Sequence, residues 1–407
     1  MTKHPFSGTG VAIVTPFLEN GDIDESGIER LVEHLVNGKV DYLVALGTTG
    51  ENATLNKEEK QLVFTLVNKF NKGRLKLVAG IGGNDTRAVI EAFSAFDLAG
   101  YAAILSVSPY YNKPNAEGIF QHYKALGDAA PLPLIMYNVP GRTGMNVSTA
   151  TTLRIANACK NIIATKEASG NMEQIMQIIK DKPEGFEVIS GDDGITLPLI
   201  ACGAIGVISV LANAYPKEFS TMVNLCLEGK FAEARPTHEK MIPVIQSLFA
   251  EGSPSGVKAY LGELGVVKDT FRLPVVGVSA QHKENIKAIR LVPTSAPSIM
   301  ISAVEVRKMP CPTKELTIRQ VAVLDCSKLL TPTPDTNAHK GFLTLPAKTS
   351  RNDAPKTRKM PVRTVCVPHT NSAIAANKFR RLCMRSSPRH GISFDVGKTL
   401  HGFLHTF

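Results

Sequence analysis

A lysine set inside an apolar strand is the first place in this chain where chemistry suggests itself. The run Ile162-Ile163-Ala164-Thr165-Lys166-Glu167-Ala168-Ser169 reads as a buried strand, and an unpaired ammonium there would be expensive. A carboxylate partner would explain it structurally, with Glu167 the nearest. Adjacent strand residues, however, point to opposite faces. Burial favours the neutral amine, which is the form that attacks a ketone. The residues thus point to a nucleophilic amine at Lys166, with a paired structural lysine as the alternative.

Other segments carry groups that such chemistry needs. Gly47-Thr48-Thr49-Gly50-Glu51 offers two hydroxyls and free amides in a tight turn, able to hold a carboxylate or simply to turn the chain. Ser108-Pro109-Tyr110-Tyr111-Asn112 and Tyr137-Asn138-Val139-Pro140-Gly141-Arg142-Thr143-Gly144 each place tyrosine where a strand should end. Such a tyrosine either packs with a satisfied hydroxyl or moves protons. Arg142 is either a surface charge or a bidentate carboxylate ligand.

For these groups to meet, the chain must bring several strand ends to one place. Short β-branched runs begin near Thr9, Tyr42, Lys76, Ala102, Pro133, Ile162, Phe186 and Gly206, at intervals that fit a strand and a return helix each time. Ile28, Leu31, Val32, Leu35 and Val36 mark one helical face, and Val63, Val67 and Phe70 another. Asn56 with Glu59 three residues later has the form of a capping box. Runs such as Val11-Ala12-Ile13-Val14 are apolar throughout, as parallel strands buried on both faces require.

Eight such units predict an α/β fold, the eight-fold β/α (TIM) barrel, which needs ~250 residues and gathers function on the loops after its strands. An open doubly wound sheet is the alternative, but it would show a Gly-rich fingerprint after the first strand, where Thr15-Pro16-Phe17 stands. Helical patterns follow at 216–228, 231–250, 254–265 and 279–290. The expected organisation is a barrel over 1–225, a C-terminal helical extension over 226–290, and a tail over 291–407.

The tail differs in kind. It holds 18 Lys and Arg against 6 Asp and Glu, and 11 of the 25 prolines, whereas residues 1–290 carry 28 basic against 30 acidic residues. The overall charge of +10 is therefore a property of the tail and gives no reason to expect nucleic acid at the barrel. With no sustained period, the tail reads as disordered or as a non-native extension, and a basic nucleic-acid arm is the alternative. The seven cysteines show no C-x-x-C pair and give neither a zinc site nor a disulfide framework. No apolar run is long enough to span a membrane, and the first ten residues lack a secretory pattern, so the cytoplasm is expected.

The segments G-T-T-G-E, S-P-Y-Y-N, Y-N-V-P-G-R-T-G, I-I-A-T-K-E-A-S-G, S-G-D-D and G-V-I-S-V, in this order and spacing, resemble the pyruvate-dependent class I aldolase superfamily. Within it the chain is most similar to the synthases of the diaminopimelate and lysine route, which condense pyruvate with L-aspartate 4-semialdehyde. The resemblance spans about residues 5–290 and does not reach the tail. It implies that Lys166 forms the Schiff base and Tyr137 shuttles protons. Thr48 and Tyr111 would complete a hydroxyl relay, Tyr111 entering from a neighbouring subunit of a homotetramer. Thr49, Ile208 and Gly191 would contact pyruvate, and Arg142 the carboxylate of the semialdehyde. The implied chemistry needs no metal and no cofactor.

The same resemblance leaves room for a related lyase, such as an N-acetylneuraminate lyase or a 2-keto-3-deoxy-sugar aldolase. Arg142 separates them, since a sugar calls for mostly neutral partners. A barrel that only senses pyruvate would need no proton relay.

Overall fold

The computed structural model describes residues 4–291, so the expectations for the tail lie outside the described residues. Eight strands alternate with helices: β1 Gly8–Ala12, α1 Glu25–Asn37, β2 Tyr42–Ala45, α2 Lys57–Asn71, β3 Lys76–Gly80, α3 Thr86–Ala95, β4 Ala103–Val107, α4 Ala116–Ala129, β5 Leu134–Asn138, α5 Pro140–Thr143, α6 Thr149–Ala158, β6 Ile162–Glu167, α7 Met172–Asp181, β7 Glu187–Ser190, α8 Thr196–Ala201 and β8 Gly206–Ser209. Four more helices follow: α9 Pro216–Leu227, α10 Phe231–Ala250, α11 Ser255–Glu263 and α12 Ala280–Ile289. All strand pairs are parallel, and β8 returns to β1, so the sheet is a closed barrel and not the open alternative.

Closure depends on one close approach. Gly206 pairs with Gly8, and a Cβ at Gly206 would lie 2.0 Å from the Gly8 carbonyl oxygen, at a backbone φ of +148°. Only glycine fits there.

The core has two layers, as the apolar strands require. Inside the barrel Ala12, Val44, Val78, Leu105, Ile135, Ala164, Ile189 and Ile208 pack together, and Phe6 joins them, edge-on to Tyr42 at 5.4 Å between ring centres. The outer faces of the strands pack against the helices through residues such as Leu43, Leu77, Ile104, Leu134 and Val188. The helices begin where side chains supply caps. Asn56 and Glu59 form the predicted capping box on α2, and Asp24, Asn115, Ser148 and Asn171 cap α1, α4, α6 and α7. Among the described residues no helix is long and apolar enough to cross a membrane.

Candidate active site

The alternation of each strand decides what enters the barrel. On β6, Ala164 and Lys166 share the inner face, and Lys166 is the penultimate residue of the strand. It pairs in register with Tyr137, penultimate on β5, and its Nζ sits 4.3 Å from the centre of the Tyr137 ring. Both are almost wholly buried, at 4% and 6% exposed. An amine and a phenol therefore share one small space at the C-terminal mouth of the barrel.

Glu167 faces the other way. Its carboxylate accepts from the Asn138 amide at 2.8 Å and the Ser169 hydroxyl at 2.7 Å, in the layer between barrel and helices. Burial pushes its carboxyl above the ordinary range, while these donors pull it back. It is thus committed to joining β5 to β6 and is turned away from Lys166.

The surrounding loops hold this pair in place. The Ser108 amide and hydroxyl both donate to the Tyr137 carbonyl, at 3.0 and 2.9 Å, fixing the end of β5 from the loop after β4. Gly191, after β7, donates its amide to the Glu167 carbonyl at 2.7 Å. A Cβ at Gly191 would lie 3.1 Å from Lys166 Cε and 2.8 Å from Ala168 Cβ, so a side chain there would crowd the lysine stem. Ile208 lines the interior from β8 and is fully buried.

The remaining expected residues lie on the segments that follow the strands. Thr48–Gly50 forms a single 3₁₀ turn directly after β2, with Thr49 buried and Thr48 exposed. The Thr15 hydroxyl donates to the Gly50 carbonyl at 2.7 Å and fastens the turn to the chain leaving β1. Arg142 lies in α5, exposed, and donates through Nη2 to the Ser253 carbonyl at 3.2 Å. Tyr111 is 89% exposed and has φ of +70°, a conformation bulky residues rarely adopt. Lys166, Tyr137 and Gly191 are thus in direct contact or nearly so, whereas Tyr111 projects outward from the loop after β4.

Two features of the site were not assigned from the sequence. Asp193, fully enclosed, accepts from the amides of Leu211 at 2.8 Å and Val210 at 3.2 Å, tying the loop after β7 to the turn after β8. Burial holds its carboxyl up to about 6. The signal was its place in Ser190-Gly191-Asp192-Asp193, a second acid just past a strand. Glu51, the last residue of the threonine motif, forms a buried ion pair with Lys258 of α11 at 2.5 Å. Lys258 stands among Gly256, Val257, Ala259 and Tyr260, and a charge within so apolar a helical stretch was its sign.

The described residues thus form a closed β/α barrel with an amine held against a phenol ring at adjacent strand ends. A model of the dihydrodipicolinate synthetase family matches residues 5–290. The chain belongs to that family. It is 51% identical over 274 residues to the 4-hydroxy-tetrahydrodipicolinate synthase of Flavobacterium psychrophilum, which covers 67% of this chain and 94% of that protein. The chloride-inhibited dihydrodipicolinate synthase of Acinetobacter baumannii, solved with pyruvate, superposes with a TM-score of 0.68 at 38% identity, covering 70% of this chain and 97% of that one. A monomeric dihydrodipicolinate synthase variant gives 0.68 at 36% identity, covering 70% and 96%.

Proposed function

We propose that this chain condenses pyruvate with L-aspartate 4-semialdehyde through an imine on Lys166, giving 4-hydroxy-tetrahydrodipicolinate for diaminopimelate and lysine synthesis. The observation that carries the assignment of the site is the buried contact between the Lys166 amine and the Tyr137 ring.

In this reading Lys166 attacks the ketone carbon of pyruvate, and loss of water leaves an imine. The imine draws electrons from the adjacent methyl group, which loses a proton to become an enamine. Lys166 is occupied by then, so another group must move the protons, and Tyr137, whose ring lies against the amine, is the one assigned. Thr48 and Tyr111 complete the relay. The enamine carbon adds to the aldehyde, and the amino group of the semialdehyde then attacks the imine carbon and releases Lys166. Thr49, Gly191 and Ile208 hold pyruvate, and Arg142 takes the carboxylate of the second substrate.

Tyr111 supports an assembly of at least two chains, and a homotetramer is the form proposed. A strained, outward-facing aromatic is held for a use outside its own loop, and a neighbouring subunit's site supplies one. The reading implies the cytoplasm as the compartment.

The test is turnover with both substrates. Pyruvate and the semialdehyde should disappear one for one, while N-acetylneuraminate is left intact. Cleavage of the sugar acid, with the semialdehyde untouched, would replace this reading by the sugar-lyase one.

A further inference from the structure

The loop that carries Thr48 is held through charge by residues of the C-terminal extension. Glu51 closes the Thr48–Gly50 turn and opens the next one, Asn52–Thr54, in a left-handed conformation with φ of +52°. Non-glycine residues adopt this only where the surroundings impose it. Its side chain runs inward to Lys258, and the two side chains are 1% and 0% exposed. Lys258 Nζ also donates to the Thr270 carbonyl at 2.9 Å and lies between the rings of Phe17 and Phe271, 4.3 and 5.0 Å from their centres. Arg272 grips the end of the same loop, with one bond to the Thr54 carbonyl at 3.0 Å and two to the carboxylate of Glu59 in the first turn of α2.

A buried pair of this kind is a poor way to gain stability. Burial pushes the Glu51 carboxyl up and the Lys258 amine down, and their mutual attraction only opposes this. Two apolar side chains of the same volume generally serve stability as well or better. What a charged pair adds is a fixed direction and length. Its acidic partner is three residues from an exposed threonine at the mouth of the barrel.

We propose that Glu51 and Lys258 are positioning residues for the reaction: α11, which supplies no reacting group, sets through this pair where the Thr48 hydroxyl stands relative to Lys166 and Tyr137. The inference rests on the assignment of Thr48 to the proton relay.

The test compares Glu51→Gln/Lys258→Met with Thr48→Val, alone and combined, in the full chain. The paired variant removes both charges and should melt within about 5 °C of the parent. Its turnover should fall by about ten-fold or more, as for a misplaced group, with the KM for pyruvate changed less than about three-fold and imine trapping by borohydride slowed. Thr48→Val should slow the parent strongly and add little to the paired variant, since both impair one step. A folded paired variant at parental turnover overturns the inference while Thr48→Val remains slow, and so do losses that multiply fully. Parental turnover in Thr48→Val instead removes the relay assignment, and the inference with it. If the paired variant melts below the assay temperature, Lys258→Arg decides, because it keeps the charge and reshapes the tether. A loss of about ten-fold with unchanged melting supports the proposal, and parental turnover overturns it.

Discussion

Arg142 already donates to one carbonyl, yet a guanidinium has five donors, so enough remain for a substrate carboxylate. Its exposure on α5 lets it meet a ligand without first losing a protein partner. Arg142→Ala should therefore raise the KM for the semialdehyde by roughly 30- to 150-fold, the equivalent of about 2 to 3 kcal/mol for a lost charge-assisted pair. The KM for pyruvate should stay near its original value, because the proposed function assigns pyruvate to Thr49, Gly191 and Ile208 and not to Arg142. Steady-state kinetics with each substrate varied in turn would read this, and equal losses for both would remove Arg142 from its role.

Between elements, Asp193 ties the end of β7 to the turn after β8, and its titration gives that tie a pH signature. Its folded value, about 6, lies above the ordinary carboxyl value near 3.9. A raised value means the folded state favours the protonated form. The associated stability is full below pH ~4 and is lost as the pH rises through about 6. An asparagine does not titrate and can still accept from the Leu211 amide. The melting temperature of Asp193→Asn, relative to the parent, should accordingly climb between pH 4 and 6 and level off above. A difference that stays flat across this range would show that Asp193 does not make this tie pH-dependent. The elements themselves were largely legible in the sequence. Strands expected near Thr9, Ala102, Pro133 and Phe186 begin at Gly8, Ala103, Leu134 and Glu187, because burial on both faces leaves an apolar run that any reader of the chain can find. The pairs that hold the loops were not legible. Glu51 meets Lys258, and Arg142 meets Ser253, across more than a hundred residues of intervening chain. Nothing local records such partners. Lys166 was found because its local setting conflicted with its charge, and Asp193 was missed because an acid in a loop conflicts with nothing.

Across the whole chain, charge divides where the described residues end. Residues 1–290 are close to neutral, and the excess of basic residues lies beyond them. Leu291 still packs partly against the core. The family match ends at residue 290. Cutting the chain after Leu291 should leave turnover and melting temperature unchanged, since every residue assigned to the site and every helix that supports it precedes the cut. Loss of activity or assembly on truncation would make the tail part of the enzyme. In the proposed function this barrel serves to present one amine. Incubation with pyruvate and borohydride, followed by peptide mapping, tests it most directly, because reduction turns a transient imine into a stable secondary amine. One adduct per chain is expected, on Lys166, and none in Lys166→Ala. An adduct on another lysine, or labelling that survives Lys166→Ala, would contradict the assignment.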